Sequence, residues 1–177
     1  MTSPRWPAAE TIVCARLVLE PLRLEHAGDL FRALDDERLH GFIGGRPATE
    51  AELAARVTRQ IRGTSSDGAQ GWCNWVVRHR QTGSVIGTVQ ATLRAEPPER
   101  VAAEVAWVIA TPQQSHGFAS EAATGMARWL LAHGANVLIA HVHPDHQASG
   151  RVARRIGLTP TAVVVDGETR WSTEPGD

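Results

Sequence analysis

This sequence predicts a single-domain α/β fold of the mixed α+β kind, and three observations predict it. Strand-like segments alternate with segments whose apolar residues recur every three or four positions, in the order β, α, α, β, β, β, α, β, α, β, β. Residues 101–142 read as strand, long helix, strand, a βαβ unit whose two strands run parallel with a right-handed crossover. Two short turn signals, "QTG" and "DG", join further strands as antiparallel hairpins. A chain of 177 residues, 42% hydrophobic and 21% charged, is long enough for one domain with a sizeable core.

Each element has its own signal. "ARLVLEPL" (15–22) is a first strand. In "RLEHAGDLFRALDD" (23–36), Leu24, Ala27, Leu30, Phe31 and Leu34 fall at helical spacing. The glycine-rich loop "GFIGGRP" (41–47) follows. Thr49 then caps a helix carrying Leu53, Val57 and Ile61, which Gly63 stops. "GTSSDGAQG" (63–71) is a turn region before the hairpin "WCNWVVRHR"–"SVIGTVQATLR". "VAAEVAWVIA" (101–110) is the next strand, 118–133 a helix closed by Gly134, and "NVLIAHVHP" (136–144) a strand. "QASGRVARRIG" (147–157) is a short helix, and "TAVVVDGETRW" (161–171) a closing hairpin. The domain therefore spans 15–172, with an N-terminal extension at 1–14 and a tail at 173–177.

Bulk properties exclude several classes. The net charge of -1 is not the footprint of a nucleic-acid binder, and the densest basic cluster, "RVARR" (151–155), reads as a solvated helix face. No apolar run reaches membrane-spanning length, and "MTSPRWPAAE" has no signal-peptide core. Cys14 and Cys73 lie far apart in no metal or redox spacing, as free thiols of a reducing compartment do. The expectation is a cytoplasmic protein that meets neither nucleic acid nor membrane.

The informative stretch is "TPQQSHGFASEAATGMARWLLAHG" (111–134). It places small polar residues and a glycine where a strand hands over to the longest helix. A helix N-terminus carries unpaired N–H groups and about half a positive charge. Small residues let a ligand reach that backbone, and the two together suit a pyrophosphate. The stretch is not a P-loop, since no Gly-Lys-Ser/Thr follows, and a single glycine is not the dinucleotide fingerprint. On spacing alone, a loop with small residues for packing remains open.

"EVAWVIATPQQSHGFASEA" resembles the acyl-CoA-binding segment of GNAT-family N-acetyltransferases. That family's pattern, Gln/Arg-x-x-Gly-x-Gly/Ala, is met by Gln114, Gly117 and Ala119. "RLVLEPLRLEHAGDLFRALDD", "SEAATGMARWLLAHG" and "HVHPDHQASGRVARRIGLTPT" are similar to the family's opening and later elements, so the resemblance covers roughly 15–172. It is closest to the branch containing the acetylases of ribosomal-protein N-termini. It implies a GNAT-type acyl-CoA N-acyltransferase fold: a central, mostly antiparallel sheet with a splayed parallel strand pair and flanking helices.

It also implies roles. Backbone N–H groups of Gln114, Ser115, His116, Gly117, Phe118, Ala119 and Ser120 would hold the pyrophosphate of acetyl-CoA, the cosubstrate. Main-chain groups of Val108 and Ile109 would pair with pantetheine and polarise the acetyl carbonyl. Arg151, Arg154 and Arg155 are further candidates for its phosphates. Transfer needs a neutral amine, whereas a lysine amine titrates near ~10.4 and a peptide α-amine near ~7.8. Glu104, on one strand face with Ala106 and Val108, is the candidate base, directly or through water. Many relatives protonate the departing thiolate with a tyrosine, and this chain has none. Ser149 matches the serine of the family's Asn-x-Ala-Ser pattern and is the candidate partner of the sulfur. His146 replaces the asparagine and can bond the pantetheine amide. Plainer readings are an exposed strand carboxylate for Glu104 and a helix-capping serine for Ser149.

"HVHPDH" (141–146) also spells the zinc motif of metallo-β-lactamase-type hydrolases. No histidine follows His146 to complete that ligand set, and too little chain remains for the fold's second half. No metal is expected. A non-catalytic acyl-CoA-binding module is the other alternative. The acceptor is an amine, on a small molecule or a protein N-terminus. Trp72, Trp75, Phe42 and Trp171 are candidates to line its cleft, with core packing as the plainer reading. A free edge strand near the C-terminus is a candidate homodimer seam.

Overall fold

In a computed structural model of the chain, residues 6–42, 44–97 and 99–174 are described. The strands are β1 (Ile12–Val13), β2 (Leu17–Pro21), β3 (Gln70–His79), β4 (Val85–Glu96), β5 (Arg100–Ile109), β6 (Val137–Val142), β7 (Thr159–Val165) and β8 (Glu168–Ser172). The helices are α1 (Ala27–Leu34), α2 (Glu50–Gln60), α3 (Phe118–Ala132) and α4 (Gln147–Arg155). The strands form one sheet in the order β1-β2-β3-β4-β5-β6-β8-β7, antiparallel throughout except for the β5–β6 pair. This is the predicted mixed architecture, with α3 as the crossover between the parallel strands.

Local chemistry accounts for the helix starts. Thr49 accepts from the Glu52 N–H, and the Glu52 carboxylate accepts from the Thr49 N–H, a reciprocal cap that starts α2. Arg46 grips the same carboxylate and, with that cap, draws the Glu52 pKa down to about 2. The loop before α2 is thereby tied to the helix.

The two faces of the sheet are covered differently. Leu17, Leu19, Trp75, Val77, Leu93 and Val105 pack against Phe118, Ala122, Met126 and Leu130 of α3 to form the main core. On the other face a smaller cluster joins Leu30 of α1 and Leu53 and Val57 of α2 to Val76. The short β1 went unpredicted, because two residues carry no readable period. The segment before it is nonetheless held: Trp6 Nε1 donates to the Gly68 carbonyl at 3.1 Å and Trp75 Nε1 to the Glu10 carbonyl at 2.8 Å. Residues 1–5 of the expected extension and 175–177 of the expected tail lie outside the described residues, as does Ile43 of the glycine-rich loop.

One irregularity shapes the end of β5. Val77 faces Gly87 while Arg78 faces Val85, so Ile86 is an extra residue on β4. Its carbonyl accepts from the Ala110 N–H at 2.8 Å. Gly87 lies opposite Ile109, and a Cβ there would stand 2.1 Å from the Val108 carbonyl oxygen. Only glycine lets β4 approach β5 this closely. Gly87→Ala is expected to lower unfolding free energy by about 2 kcal/mol, since overpacking against backbone typically costs 1–3. Urea unfolding monitored by tryptophan fluorescence measures this; an unchanged midpoint contradicts it.

Candidate active site

The site begins where two strands stop pairing. β5 and β6 are in register at Ala102–Val137, Ala103–Leu138 and Glu104–Ile139, and no further. Residues 105–109 keep β4 on one edge, while β6 continues beside β8 through Val142. The edge of β5 that faces β6 therefore presents backbone N–H and C=O groups without a strand partner.

At the same end of β5 the chain makes a short 3-10 turn, Thr111–Gln113, and enters α3. Gln114 Nε2 donates to the Ile109 carbonyl at 3.0 Å, tying the loop to the strand end. Ser115 and Gly117 both take left-handed backbone, at φ 65 and 80. Gly117 is the N-cap of α3 and offers no side chain to its N–H groups. The first helical bond in this turn runs from the Glu121 N–H to the Gly117 carbonyl, so the N–H groups before it have no helical acceptor. Gln114, Ser115, His116 and Gly117 are exposed, Ala119 and Ser120 half-buried, and Phe118 sits in the core.

Sequence reasoning missed one residue here, Arg16. Its backbone N–H donates to Glu121 Oε1 at 2.6 Å and its Nε to Oε2 at 2.7 Å. Its Nη1 donates to the His116 carbonyl at 2.9 Å, and its guanidinium lies 4.5 Å from the centre of the Phe118 ring. An arginine in the turn before β2, far from the loop in sequence, carries no local signal of this contact.

The expected chemical groups stand on opposite faces of the gap. Glu104 shares its strand face with Ala102, which clusters with Val137 and Ile139, and it is opposite Thr92. That is the face of α1 and α2, since Gln90, two residues along β4, receives a bond from Gln60 of α2. The Glu104 carboxylate is 3.5 Å from His141 Nδ1 and 3.8 Å from Arg94 Nη1. Trp107 faces the other way, against the main core. Its Nε1 donates across the gap to Ser149 Oγ at 3.3 Å. The N-cap of α4 is His146, and no side-chain cap bond is made there, so Ser149 is not a capping serine.

His146 stacks on Phe42, with ring centres 4.2 Å apart and planes 13° apart. Burial, and then the neighbouring His143, lowers its pKa below the ordinary histidine value. Val108 is half-buried beside the gap, while Ile109 is a core residue whose carbonyl already accepts from Gln114. Arg151, Arg154 and Arg155 are exposed on α4, and the Arg154 guanidinium lies over Trp171 at 5.1 Å.

Of the four cleft candidates, two tryptophans follow the plainer reading, core packing. Trp75 is fully buried and Trp171 nearly so, both within the main core, because their strand faces point toward α3 and α4. Trp72, opposite Thr92, does stand on the α1–α2 side, and the exposed Phe42 lies against His143 and His146. The histidines of "HVHPDH" do not converge: His141 turns to Glu104, and His143 lies by Asp145 at 3.9 Å. Among the described residues no three His, Cys, Asp or Glu side chains are grouped as metal ligands.

This arrangement, a sheet splayed after one parallel pair with an uncapped helix N-terminus at the splay, defines an acyl-transferase class of fold. The acetyltransferase (GNAT) domain matches residues 16–159, and the chain belongs to the GNAT acetyltransferase family. It is an N-acetyltransferase by that membership. A GNAT-family acetyltransferase from Bacillus anthracis superposes with a TM-score of 0.73 at 17% identity, covering 92% of this chain and 96% of that one. A ribosomal-protein-serine acetyltransferase from Vibrio cholerae, so described provisionally, gives 0.69 at 18% identity over 94% and 98% of the two chains. RimL, a ribosomal L7/L12 alpha-N-protein acetyltransferase in complex with coenzyme A, gives 0.72 at 17% identity over 92% and 97%. No curated protein matches the sequence.

The pH behaviour of His146 follows from its surroundings. A histidine whose folded pKa is lowered binds fewer protons folded than unfolded just below the ordinary value of 6.5. Its contribution to stability is complete above that value and declines as pH falls through it toward the folded pKa. An NMR titration is expected to place His146 below 6.5, with only partial recovery in His143→Gln, because burial is the larger cause. A midpoint at or above 6.5 contradicts the stacked, half-buried placement.

Proposed function

We propose that this protein transfers the acetyl group of acetyl-CoA directly to a primary amine within a ternary complex. One observation carries the reading. A free backbone edge of β5 and the uncapped N-terminus of α3 open on the same gap, with Glu104 on one face of it and Ser149 on the other.

The residues present fit the cosubstrate. The exposed backbone from Gln114 to Gly117 and the first turn of α3 suit a pyrophosphate, by unpaired N–H groups and by helix dipole. The unpartnered edge of β5 near Val108 suits an extended amide chain such as pantetheine, which would add to it as a strand does. Bound there, acetyl-CoA supplies the acetyl group as an activated thioester.

The chain's own groups then divide the work. Glu104, with His141 beside it, takes a proton from the acceptor's ammonium on the α1–α2 face, directly or through water, and the neutral amine then attacks the acetyl carbon. Ser149 already accepts a bond from Trp107, which leaves its hydroxyl hydrogen free to point at the sulfur as the carbon–sulfur bond breaks. The acceptor amine enters on the face bearing Trp72, Thr92, Glu104 and His141. A small amine or a protein N-terminus fits that description. The fold likeness to RimL favours the second as the first panel to screen.

Calorimetric titration with acetyl-CoA, followed by a panel of amines and peptide N-termini, tests the reading. Glu104→Gln is expected to lower kcat by ~10²-fold or more, as loss of a general base does. Ser149→Ala is expected to cost roughly 10–100-fold, the worth of one hydrogen bond to a charged group. Gly117→Asp puts a carboxylate where phosphate is placed and is expected to abolish acetyl-CoA binding in a protein that still folds. Absence of acetyl-CoA binding by the parent sinks the proposal, and tight binding without turnover on any amine replaces it with the non-catalytic module.

A further inference from the structure

The contacts of Arg16 lead to one residue role that the motif does not contain. We infer that Arg16 is a positioning residue for the pyrophosphate loop: it holds the His116 carbonyl away from the anion and thereby aims the Gly117 N–H toward it. The inference rests on the acetyl-CoA reading above.

In a planar trans peptide the carbonyl of one residue and the N–H of the next point in opposite directions. Arg16 Nη1 bonds the His116 carbonyl at 2.9 Å, so the orientation of the Gly117 N–H is set by an arginine that approaches from behind. This peptide unit needs such a constraint. It joins His116 to the left-handed Gly117, one residue beyond the left-handed Ser115, and no helix or sheet bond fixes it. A flipped peptide would turn an oxygen toward the phosphates and repel them.

Arg16 is itself fixed from three sides. Glu121, on the first turn of α3, accepts from both its backbone N–H and its Nε. Phe118 lies beneath its guanidinium. Nη2 stands 3.5 Å from where a side chain at position 117 would begin, so the arginine also closes the back of the loop. Glu121 matters in a second way. Its carboxylate sits at a helix N-terminus, where it would compete with an anionic ligand for the helix dipole. Arg16 neutralises it, which leaves the dipole for the ligand.

The test uses the full chain, acetyl-CoA as the probe, and two variants. Arg16→Met keeps the aliphatic stem and loses every side-chain donor; Arg16→Lys keeps the charge but cannot hold the carboxylate and the carbonyl together. The expected result is a Kd for acetyl-CoA about tenfold higher in Arg16→Met and roughly threefold or more higher in Arg16→Lys, at melting temperatures that show folded protein. A merely structural role predicts a lowered melting temperature with the parent's Kd in the folded variant, and that outcome overturns the inference. Should Arg16→Met fail to fold, the Kd of Arg16→Lys decides alone. A parent that does not bind acetyl-CoA fails the functional reading itself, a result distinct from a binding parent with equally binding variants.

Discussion

Everything about this site follows from the shortness of one strand pairing. Three residue pairs join β5 to β6, and then the strands diverge. A buried sheet ordinarily extends its ladder, because backbone groups left unpaired cost free energy. Here the ladder ends while both strands continue, β5 against β4 and β6 against β8. The bulge at Ile86 and the bare Cα of Gly87 draw the end of β5 toward β4, away from β6. The gap is thus built by the sheet and needs no loop to hold it open. On the proposed reading, the edge it exposes is completed by ligand rather than by chain.

The helix that crosses between the two strands then has to start at the mouth of that gap. A βαβ connection places the N-terminus of its helix at the C-terminal end of the first strand. The positive end of α3 and the unpaired edge of β5 are therefore neighbours by topology. What the topology does not settle is the direction of each N–H within the turn. Gly117 can adopt any of several conformations; the bonds from Gln114 to the strand end and from Arg16 to the His116 carbonyl select one.

Much of this was legible in the sequence, and the limits have physical causes. The helices with clear periods, the Thr49 cap and the hairpins were readable because each depends on residues close together in the chain. So was the glycine-bearing mouth of α3, which is local in the same sense. The family pattern supplied what periodicity could not, the order in which the strands lie. Arg16 stands about a hundred residues from His116, and Trp107 stands 42 from Ser149, so neither contact has a sequence signature. The choice between cleft and core for Trp75 and Trp171, with core packing the plainer reading, stayed open for a related reason. An indole on a strand reads alike on either face until the register of its neighbours is known.

The absence of tyrosine gives the Trp107–Ser149 contact its interest. A phenol can donate a proton to sulfur by itself, whereas a serine hydroxyl is a weaker acid and rotates freely. The indole N–H can only donate, so at 3.3 Å it occupies a lone pair of Ser149 Oγ and never competes for its hydrogen. A donor at that oxygen also draws charge from it, which makes the remaining O–H a better donor in turn. Trp107 is held in place by its packing against the main core, on the opposite strand face from Glu104. Consecutive strand residues alternate in direction, so one strand, β5, sends a carboxylate to the α1–α2 side and an indole to the main-core side of one gap. On the proposed reading, the proton that Glu104 removes and the hydrogen bond that Ser149 offers lie on the two sides of the acetyl carbon. On that same reading, β5 itself keeps the two functions apart.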